Sequence, residues 1–316
     1  VVGGSGQRTN TRFGHIANGQ FDPLARFGGQ LMHGRAIGPA DGSPHQFRPE
    51  AVPAGANVIA LRRPSPLFGL GLVDATPDAT FVALAAQQAA RRDGTAGRVS
   101  MVDNHAAGMQ TVGKFGWKAD VPSLLQFAGD AYLNELGVTS PAFPDEICPG
   151  GRCSELRFNP APGLNATSGE VQALVDFMSM LAPAPRGKIT PDVRAGEIVF
   201  NRIGCHSCHV STLQSGPHPN PALDRVTYHP YSDFLLHDMG FLGDGIEQQG
   251  TATGREFRTA PLWGLRMRTR YLHDGSALTL TVAIEAHDGQ GRASRDQFKR
   301  LSAADRANLL AFLESL

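Results

Sequence analysis

The feature that most constrains this chain is a C-x-x-C-H motif at residues 205–209. This motif is the attachment sequence of a c-type haem. On a helical turn, residues i and i+3 share a face, so Cys205 and Cys208 can both form thioethers with vinyl groups on one porphyrin edge. The next residue, His209, can then offer an imidazole nitrogen to the iron. The sequence therefore predicts a covalent haem c held by Cys205, Cys208 and His209.

The residues before the motif predict a helix that leads into the haem turn. Thr190 is suited to cap a helix, and Pro191 is suited to the first helical position. The helix is expected to end at Gly204. The alternative for the motif is half of a zinc site, but zinc needs further ligands and the only other two cysteines lie far upstream.

Length and charge exclude several classes of protein. The chain has 316 residues, enough for two domains, and its 29 basic and 29 acidic residues give no net charge. We expect no nucleic-acid partner, because phosphate binding needs clustered positive charge. No apolar run approaches the roughly 20 residues of a membrane span. Residues 1–4 lack the features of a signal peptide.

The cysteines indicate an oxidising compartment. Covalent haem c is assembled outside the cytoplasm, so we expect a periplasmic protein. Cys148 and Cys153 are separated by proline, glycine and arginine, so a small disulfide loop is expected between them. Two reduced cysteines are the alternative.

The residue pattern is typical of a mainly α, loop-rich fold. The chain has 37 glycines and 22 prolines, and strand-type alternation is scarce. We expect helices from about Thr76 to Arg92 and from Pro122 to Gly137, and a third helix capped by Ser168.

Residues 183–187 are the candidate domain boundary because they are rich in proline and glycine. We expect an N-terminal domain over residues 1–183 and a C-terminal domain over residues 184–316. The second domain would begin with the haem helix and end with an amphipathic helix that starts near Ser302. Two such helices are what a cytochrome c domain needs to close over a porphyrin.

The sixth ligand of the iron is expected to be histidine or methionine. His287 has the best context, because Leu280, Ile284 and His287 lie on one helical stripe that would face the core. His237 and Met239 are competing ligands. A histidine that merely complements the helix dipole is the alternative for His287.

Four segments carry a resemblance to a known family. They are residues 115–137, YSDFLLHDMG at residues 231–240, RTAPLWGL at residues 258–265 and YLHDG at residues 271–275. They resemble the diheme oxidoreductase family, whose members are considered peroxidases. More distantly, the arrangement is similar to bacterial diheme cytochrome c peroxidases and to the diheme enzyme that matures methylamine dehydrogenase.

The resemblance implies two cytochrome c-like domains with one haem each. The peroxidase pattern places a sixth ligand fourteen residues after the histidine of its Y-x-H-x-G motif, and from His273 that position is His287. A haem bound by His209 and His287 would be low-spin and lower in potential than a His/Met haem. It would depart from the peroxidase pattern, in which this ligand is methionine.

The resemblance also implies roles for three residues of the N-terminal half. His15 matches the distal ligand of the first haem, Trp117 matches a tryptophan between the haems, and Glu135 matches a glutamate that assists peroxide cleavage. The register of Glu135 differs by two residues. A core aromatic with a bonded N–H is the alternative for Trp117, and an exposed helix glutamate is the alternative for Glu135.

The sequence departs from the family at its start. The family has a first C-x-x-C-H just before a segment that corresponds to residues 3–6 here. We expect this motif to precede the sequence given and a second haem to bind in the N-terminal domain. Cleavage of the segment and loss of that haem are the alternatives.

Three functions remain open from the sequence. The first is a peroxidase-like periplasmic enzyme that receives electrons from a small redox protein or another donor. The second is a non-enzymatic electron-transfer cytochrome or partner subunit, and the third is a haem oxygenase that acts on an organic substrate. A calcium ion between the domains is implied by the peroxidases alone, because no carboxylate cluster here demands one.

Overall fold

The computed structural model of the protein describes residues 10–28, 31–34, 45–247 and 250–316. Within this part of the chain more residues lie in helices than in strands, and long irregular segments join them. The α-helices are α1 (Leu70–Asp74), α2 (Asp78–Arg91), α3 (Leu124–Ala131), α4 (Ser168–Met180), α5 (Pro191–Arg202), α6 (Leu280–Glu285), α7 (Arg292–Lys299) and α8 (Ala303–Glu314).

The strands are short and form four small antiparallel sheets among the described residues. The largest has three strands in the order β2-β1-β3, and the others are two-stranded. The strands are β1 (Asn10–Ala17), β2 (Gln20–Asp22), β3 (Val58–Arg62), β4 (Met101–Asn104), β5 (Met109–Val112), β6 (Leu213–Gln214), β7 (Thr227–Tyr228), β8 (Leu236–Asp238) and β9 (Glu256–Arg258).

The larger hydrophobic core joins helices α1 to α4 to residues from the second half of the chain. Phe81, Leu124 and Met178 are fully buried in it. Phe234 and Trp263 belong to the same core, although both follow the predicted boundary at residue 183. The division into domains at residues 1–183 and 184–316 therefore stays a prediction.

The second core lies between α5 and α8 and forms one side of the haem-motif region. The rings of Phe200 on α5 and Phe312 on α8 are 5.1 Å apart, and Tyr231 packs edge-on against both. Burial of such aromatic side chains removes the largest apolar areas from water. The helices predicted after Thr190 and near Ser302 are therefore present, and they pack against each other.

The local helix signals were mostly correct. Thr190 and Ser302 cap α5 and α8 by accepting backbone N–H bonds from Val193 and Asp305. The prediction that Ser168 caps the third helix is wrong. Thr167 is the cap, because its hydroxyl and the Glu170 carboxylate bond each other's backbone N–H groups in a capping box.

The second predicted helix is interrupted in the structure. Helix α3 begins at Leu124 and ends at Ala131, and residues Tyr132–Leu136 continue as a π-helical turn. The sheet of β1, β2 and β3 was not expected, because the first 75 residues show little periodic pattern.

The predicted disulfide is confirmed. Cys148 and Cys153 are bonded, with Cα atoms 4.6 Å apart. The loop between them also bonds to a distant segment, because the Gly150 N–H donates to the Glu50 carboxylate at 2.5 Å.

A glycine at the α5–α8 crossing is expected to be essential for packing. A Cβ at Gly196 would overlap the Asn308 carbonyl oxygen and press on Phe312. We expect Gly196→Ala to lower the free energy of unfolding by roughly 1–3 kcal/mol through overpacking. Urea denaturation measures this change.

The matched control is Gly169→Ala on the exposed surface of α4. There a Cβ meets only the Thr167 hydroxyl, at 3.8 Å. This substitution is expected to stabilise the helix by about 0.5–1 kcal/mol. Equal effects of the same sign at both glycines would contradict the packing argument.

Candidate haem site

The C-x-x-C-H motif lies in the wall of a large cavity. The empty space of this cavity is about 1420 Å³, a volume that includes open solvent at its mouth. Its lining combines the second core with the segment from β8 to α7. Five predicted site residues line it together: Trp117, Cys205, Cys208, His209 and His287.

The end of helix α5 positions the two cysteines of the motif at the cavity. It ends at Arg202, and Gly204 adopts the left-handed conformation with φ 87°, as predicted for the residue that releases the helix. A 3₁₀ turn over Cys205–Ser207 follows, so both cysteine side chains line the same cavity. This turn meets the requirement for two thioethers to one porphyrin edge.

His209 is held with one nitrogen available to a metal. Its Nδ1–H donates to the Tyr231 carbonyl at 2.8 Å, which leaves Nε2 with its lone pair. Burial lowers the pKa of His209 to about 4, so the imidazole is neutral at pH 7. Neutral imidazole is the form that ligates iron.

Residues Tyr231–Asp233 form three hydrogen bonds with the C-x-x-C-H motif and the residue after it. Besides the Tyr231 carbonyl, the Ser232 N–H donates to Val210 O and the Asp233 N–H donates to Cys208 O, each at 2.9 Å. These bonds give the first part of the YSDFLLHDMG motif a structural purpose. They fix the backbone on which His209 is mounted.

His287 reproduces the arrangement of His209. It follows α6, and its Nδ1–H donates to the Ala283 carbonyl at 2.8 Å, so Nε2 is again the remaining nitrogen. Burial lowers the pKa of His287 as well. Leu280, Ile284 and His287 line the cavity together, as the helical stripe predicted. The helix-dipole alternative needs a charged imidazole, which the lowered pKa of His287 disfavours.

The competing ligands lie in the same cavity but differ in their surroundings. His237 uses both ring nitrogens: Nε2 is 2.9 Å from Asp233 Oδ2, and Nδ1 is 3.0 Å from Gln290 Oε1. It therefore has no lone pair for iron. Met239 also lines the cavity, as does His273, whose ring stacks on Phe257 at 4.3 Å.

The cavity has the side chains that a porphyrin needs. Apolar residues cover much of it, and three arginines could pair with propionate carboxylates: Arg258, Arg268 and Arg295. The buried Nε of Arg268 has no hydrogen-bond partner within the described part of the chain. A buried unpaired donor is costly unless a ligand satisfies it. The donor set and this unpaired group both fit a haem.

Trp117 stands at the edge of the cavity. Its ring is edge-on to both Phe257 and His273, with centroids 6.3 Å away in each case. Its Nε1–H donates to the Arg63 carbonyl at 2.7 Å. The indole is thus a bonded, partly buried aromatic that also contacts the predicted haem pocket.

The next residue holds this wall in place. Lys118 is fully buried, donates to the Thr253 and Glu256 carbonyls at 2.9 and 2.7 Å, and pairs with Asp244 at 3.3 Å. Burial lowers the pKa of Lys118 to about 8 although Asp244 opposes this shift. The ammonium also lies 4.3 Å from the centre of the Phe257 ring, beneath the stack with His273.

His15 and Glu135 do not line this cavity. His15 is half-buried on β1, and its ring Nδ1 lies 2.6 Å from the Gly55 carbonyl. Glu135 is half-buried in the π-helical turn after α3. The structure therefore places both in the N-terminal half, apart from the C-x-x-C-H motif, and their predicted roles stay predictions.

Glu135 shares its surroundings with other buried charged groups. Burial raises the pKa of Glu135, while the charge of Arg12 opposes the shift. Burial, reinforced by the charge of Asp120, raises the pKa of Asp130 to about 6. Arg12 also interacts with Asp120 and Asp130. Asp130 is thus a carboxyl group in this part of the chain that can hold a proton near pH 6.

Comparison with known proteins identifies the family. Residues 55–316 match the model of a family described as "Di-haem oxidoreductase, putative peroxidase". The chain belongs to the di-haem oxidoreductase family. The match includes the C-x-x-C-H motif, both predicted iron-binding histidines, Trp117 and Glu135, whereas His15 precedes it. No curated protein matches the chain.

Two solved structures match this member of the di-haem oxidoreductase family at low similarity. A MauG-like protein associated with microbial copper homeostasis is 20% identical, with a TM-score of 0.38, over 87% of this chain and 94% of that chain. A hydrazine synthase from Kuenenia stuttgartiensis is 20% identical, with a TM-score of 0.35, over 51% of this chain. The matched region spans 59% of that hydrazine synthase chain.

Some residues of this di-haem oxidoreductase site were not found from the sequence. Gln88 and Gln290 carried no local signal, because each bonds a partner distant in sequence. Arg268 was not found either, because its exposure to the cavity follows only from the fold. Asp233 lay within the recognised motif, but its burial beside His237 was not foreseen.

Among the described residues, no helix is long and apolar enough to cross a membrane.

Proposed function

We propose that this chain is a periplasmic, peroxidase-like oxidoreductase with a covalent haem c in its C-terminal half. Cys205 and Cys208 would form the thioethers, and His209 and His287 would be the axial ligands. A second haem would bind in the N-terminal half. A small redox protein or another donor would supply the two electrons that, with two protons, convert peroxide into two water molecules.

One observation carries the proposal. The two cysteine thiols and two neutral imidazoles line a single cavity, and each imidazole has its Nδ1 bonded to a backbone carbonyl. Two histidines with Nε2 available favour a six-coordinate haem. When bound by these residues, such a haem would supply one-electron oxidation and reduction.

The residues of the cavity would serve electron transfer rather than substrate binding. Phe200 and the apolar side chains of α8 would exclude water from the porphyrin, and Arg268 would satisfy a propionate through its unpaired Nε. Trp117 would connect this cavity with the N-terminal half. Its N–H bond to Arg63 fixes the plane of the indole.

Peroxide would react in the N-terminal half, where the first haem would bind. His15 is the proposed ligand there, and Glu135 is the proposed acid–base group. The raised pKa values of Glu135 and Asp130 support proton storage at this place.

The proposal of a calcium ion between the two halves rests on the resemblance to peroxidases alone.

A test of the function is rapid mixing of the full-length protein with peroxide. The absorption of the low-spin C-terminal haem should change although that haem has no open position. Trp117→Phe should slow this change by on the order of tenfold or more, which is a rise of about 1.4 kcal/mol in the barrier. The haem content should stay unchanged.

The matched control is Trp263→Phe. Trp263 is the other of the two tryptophans, and it is buried in the larger core without lining the cavity. This variant should transfer electrons at the normal rate. A full-length protein that shows no spectral response to peroxide in either redox state would instead support the electron-transfer cytochrome.

A further inference from the structure

The imidazole of His237 contacts both a buried carboxylate and the haem-attachment cysteine. Its Nε2 faces Asp233 at 2.9 Å, and its Nδ1 faces Cys208 Sγ at 3.5 Å. His237 lines the cavity, whereas Asp233 does not. His237 is 2% exposed and Asp233 is completely buried, so water does not screen this arrangement.

The hydrogen bonds around His237 require a charged ring. Nε2 meets a carboxylate oxygen, and Nδ1 also meets the amide oxygen of Gln290 at 3.0 Å. Two acceptors on the two nitrogens mean that both nitrogens carry a proton. The orientation of the Gln290 amide follows from its other bonds, because Oε1 accepts from the Asp238 N–H and Nε2 donates to the Ala96 carbonyl.

The Asp233 carboxylate, the counter-ion of His237, is also held by hydrogen bonds. Asp233 Oδ2 also accepts from the Gln88 amide at 2.7 Å, and its Oδ1 accepts from the Leu235 N–H at 2.9 Å. Gln88 in turn donates to the Ser207 carbonyl, within the haem-attachment motif, at 3.0 Å. The carboxylate is therefore fixed at Nε2, the ring nitrogen that does not face Cys208, with an oxygen within 4.8 Å of Cys208 Sγ.

We propose that His237 is a positioning residue that places a positive charge against the Cys208 thioether and so raises the reduction potential of the C-terminal haem. The inference rests on the proposed haem at Cys205 and Cys208. The couple involved is one electron added to ferric haem to give ferrous haem, with no proton transferred at His237. A nearby cation favours the form with less positive charge, which is the ferrous one.

A metal site is the competing explanation for these side chains. Cys208, Asp233 and His237 form the one group of potential ligands within the described residues whose ligand atoms lie within 4.8 Å of one another. A metal would need a lone pair on His237 and a free thiolate on Cys208. The two ring N–H bonds remove the first, and thioether formation removes the second.

The test is a spectroelectrochemical titration of the holoprotein, followed at the low-spin signal of the C-terminal haem. His237→Gln retains an amide donor but removes the charge. We expect its equilibrium constant for reduction to fall at least tenfold, which is about 59 mV for a one-electron couple. The control is His229→Gln, which removes an exposed imidazole and should leave the potential unchanged.

A second variant tests the inference if His237→Gln fails to fold or to attach haem. Gln290→Glu changes a half-buried residue and places a carboxylate against Nδ1, so it should lower the potential in the same direction. An unchanged or higher potential in a variant that retains its haem would overturn the inference. The inference would also be overturned if the protein bound one zinc ion per chain and lost it on substitution of His237. Absence of covalent haem from the unmodified protein would instead refute the proposed function.

Discussion

Replacing both Cys205 and Cys208 with alanine should abolish covalent haem attachment in the C-terminal half. The two side chains line one cavity at the end of α5, and no other described cysteine lines it. Without thioethers, a haem would be held only by its axial ligands and apolar contacts. Mass spectrometry of the peptide that contains residues 205–209 measures the loss, which should be complete.

The matched control removes the other cysteine pair. Cys148 and Cys153 are joined in a disulfide remote in sequence from the haem motif, so replacing both with alanine should leave the haem adduct intact. The free energy of unfolding should fall by about 2 kcal/mol, the usual lower value for loss of a disulfide. A haem adduct that survives in the first double variant would place the attachment elsewhere.

His287→Ala should convert the C-terminal haem from a low-spin to a high-spin, ligand-accessible state. The substitution removes the imidazole whose Nδ1 is fixed by the Ala283 carbonyl and whose Nε2 is left for the iron. Absorption and electron paramagnetic resonance spectra measure the spin state. His287→Met should keep the haem six-coordinate and raise its potential, because thioether ligation raises the potential relative to histidine.

The control for this experiment is His218→Ala. His218 does not line the cavity, and its ring accepts from the Asn220 N–H at 3.1 Å, so the spectrum should not change. A low-spin spectrum that persists in His287→Ala would transfer the ligand role to Met239 or His273. His237 is excluded from this role by its two ring N–H bonds.

The sequence by itself determined the local parts of the site. The C-x-x-C-H spacing, the Thr190 cap and the Leu280–His287 stripe depend on residues within a few turns of each other, and the structure reproduces the cap and the stripe. The disulfide was predictable for the same reason, because its two cysteines are only five positions apart in the sequence. Local patterns are readable because they set the conformation of their own segment.

Only the tertiary structure decided which residues surround these local parts. His237 was a competing iron ligand in the sequence, but in the fold its two ring nitrogens contact Gln290 and Asp233, next to Cys208. Gln88 reaches Asp233 across 145 positions of sequence. The larger core likewise takes residues from both sides of the Pro-rich segment at residues 183–187. Packing over such separations depends on how whole elements are arranged, and no periodicity within one element encodes it.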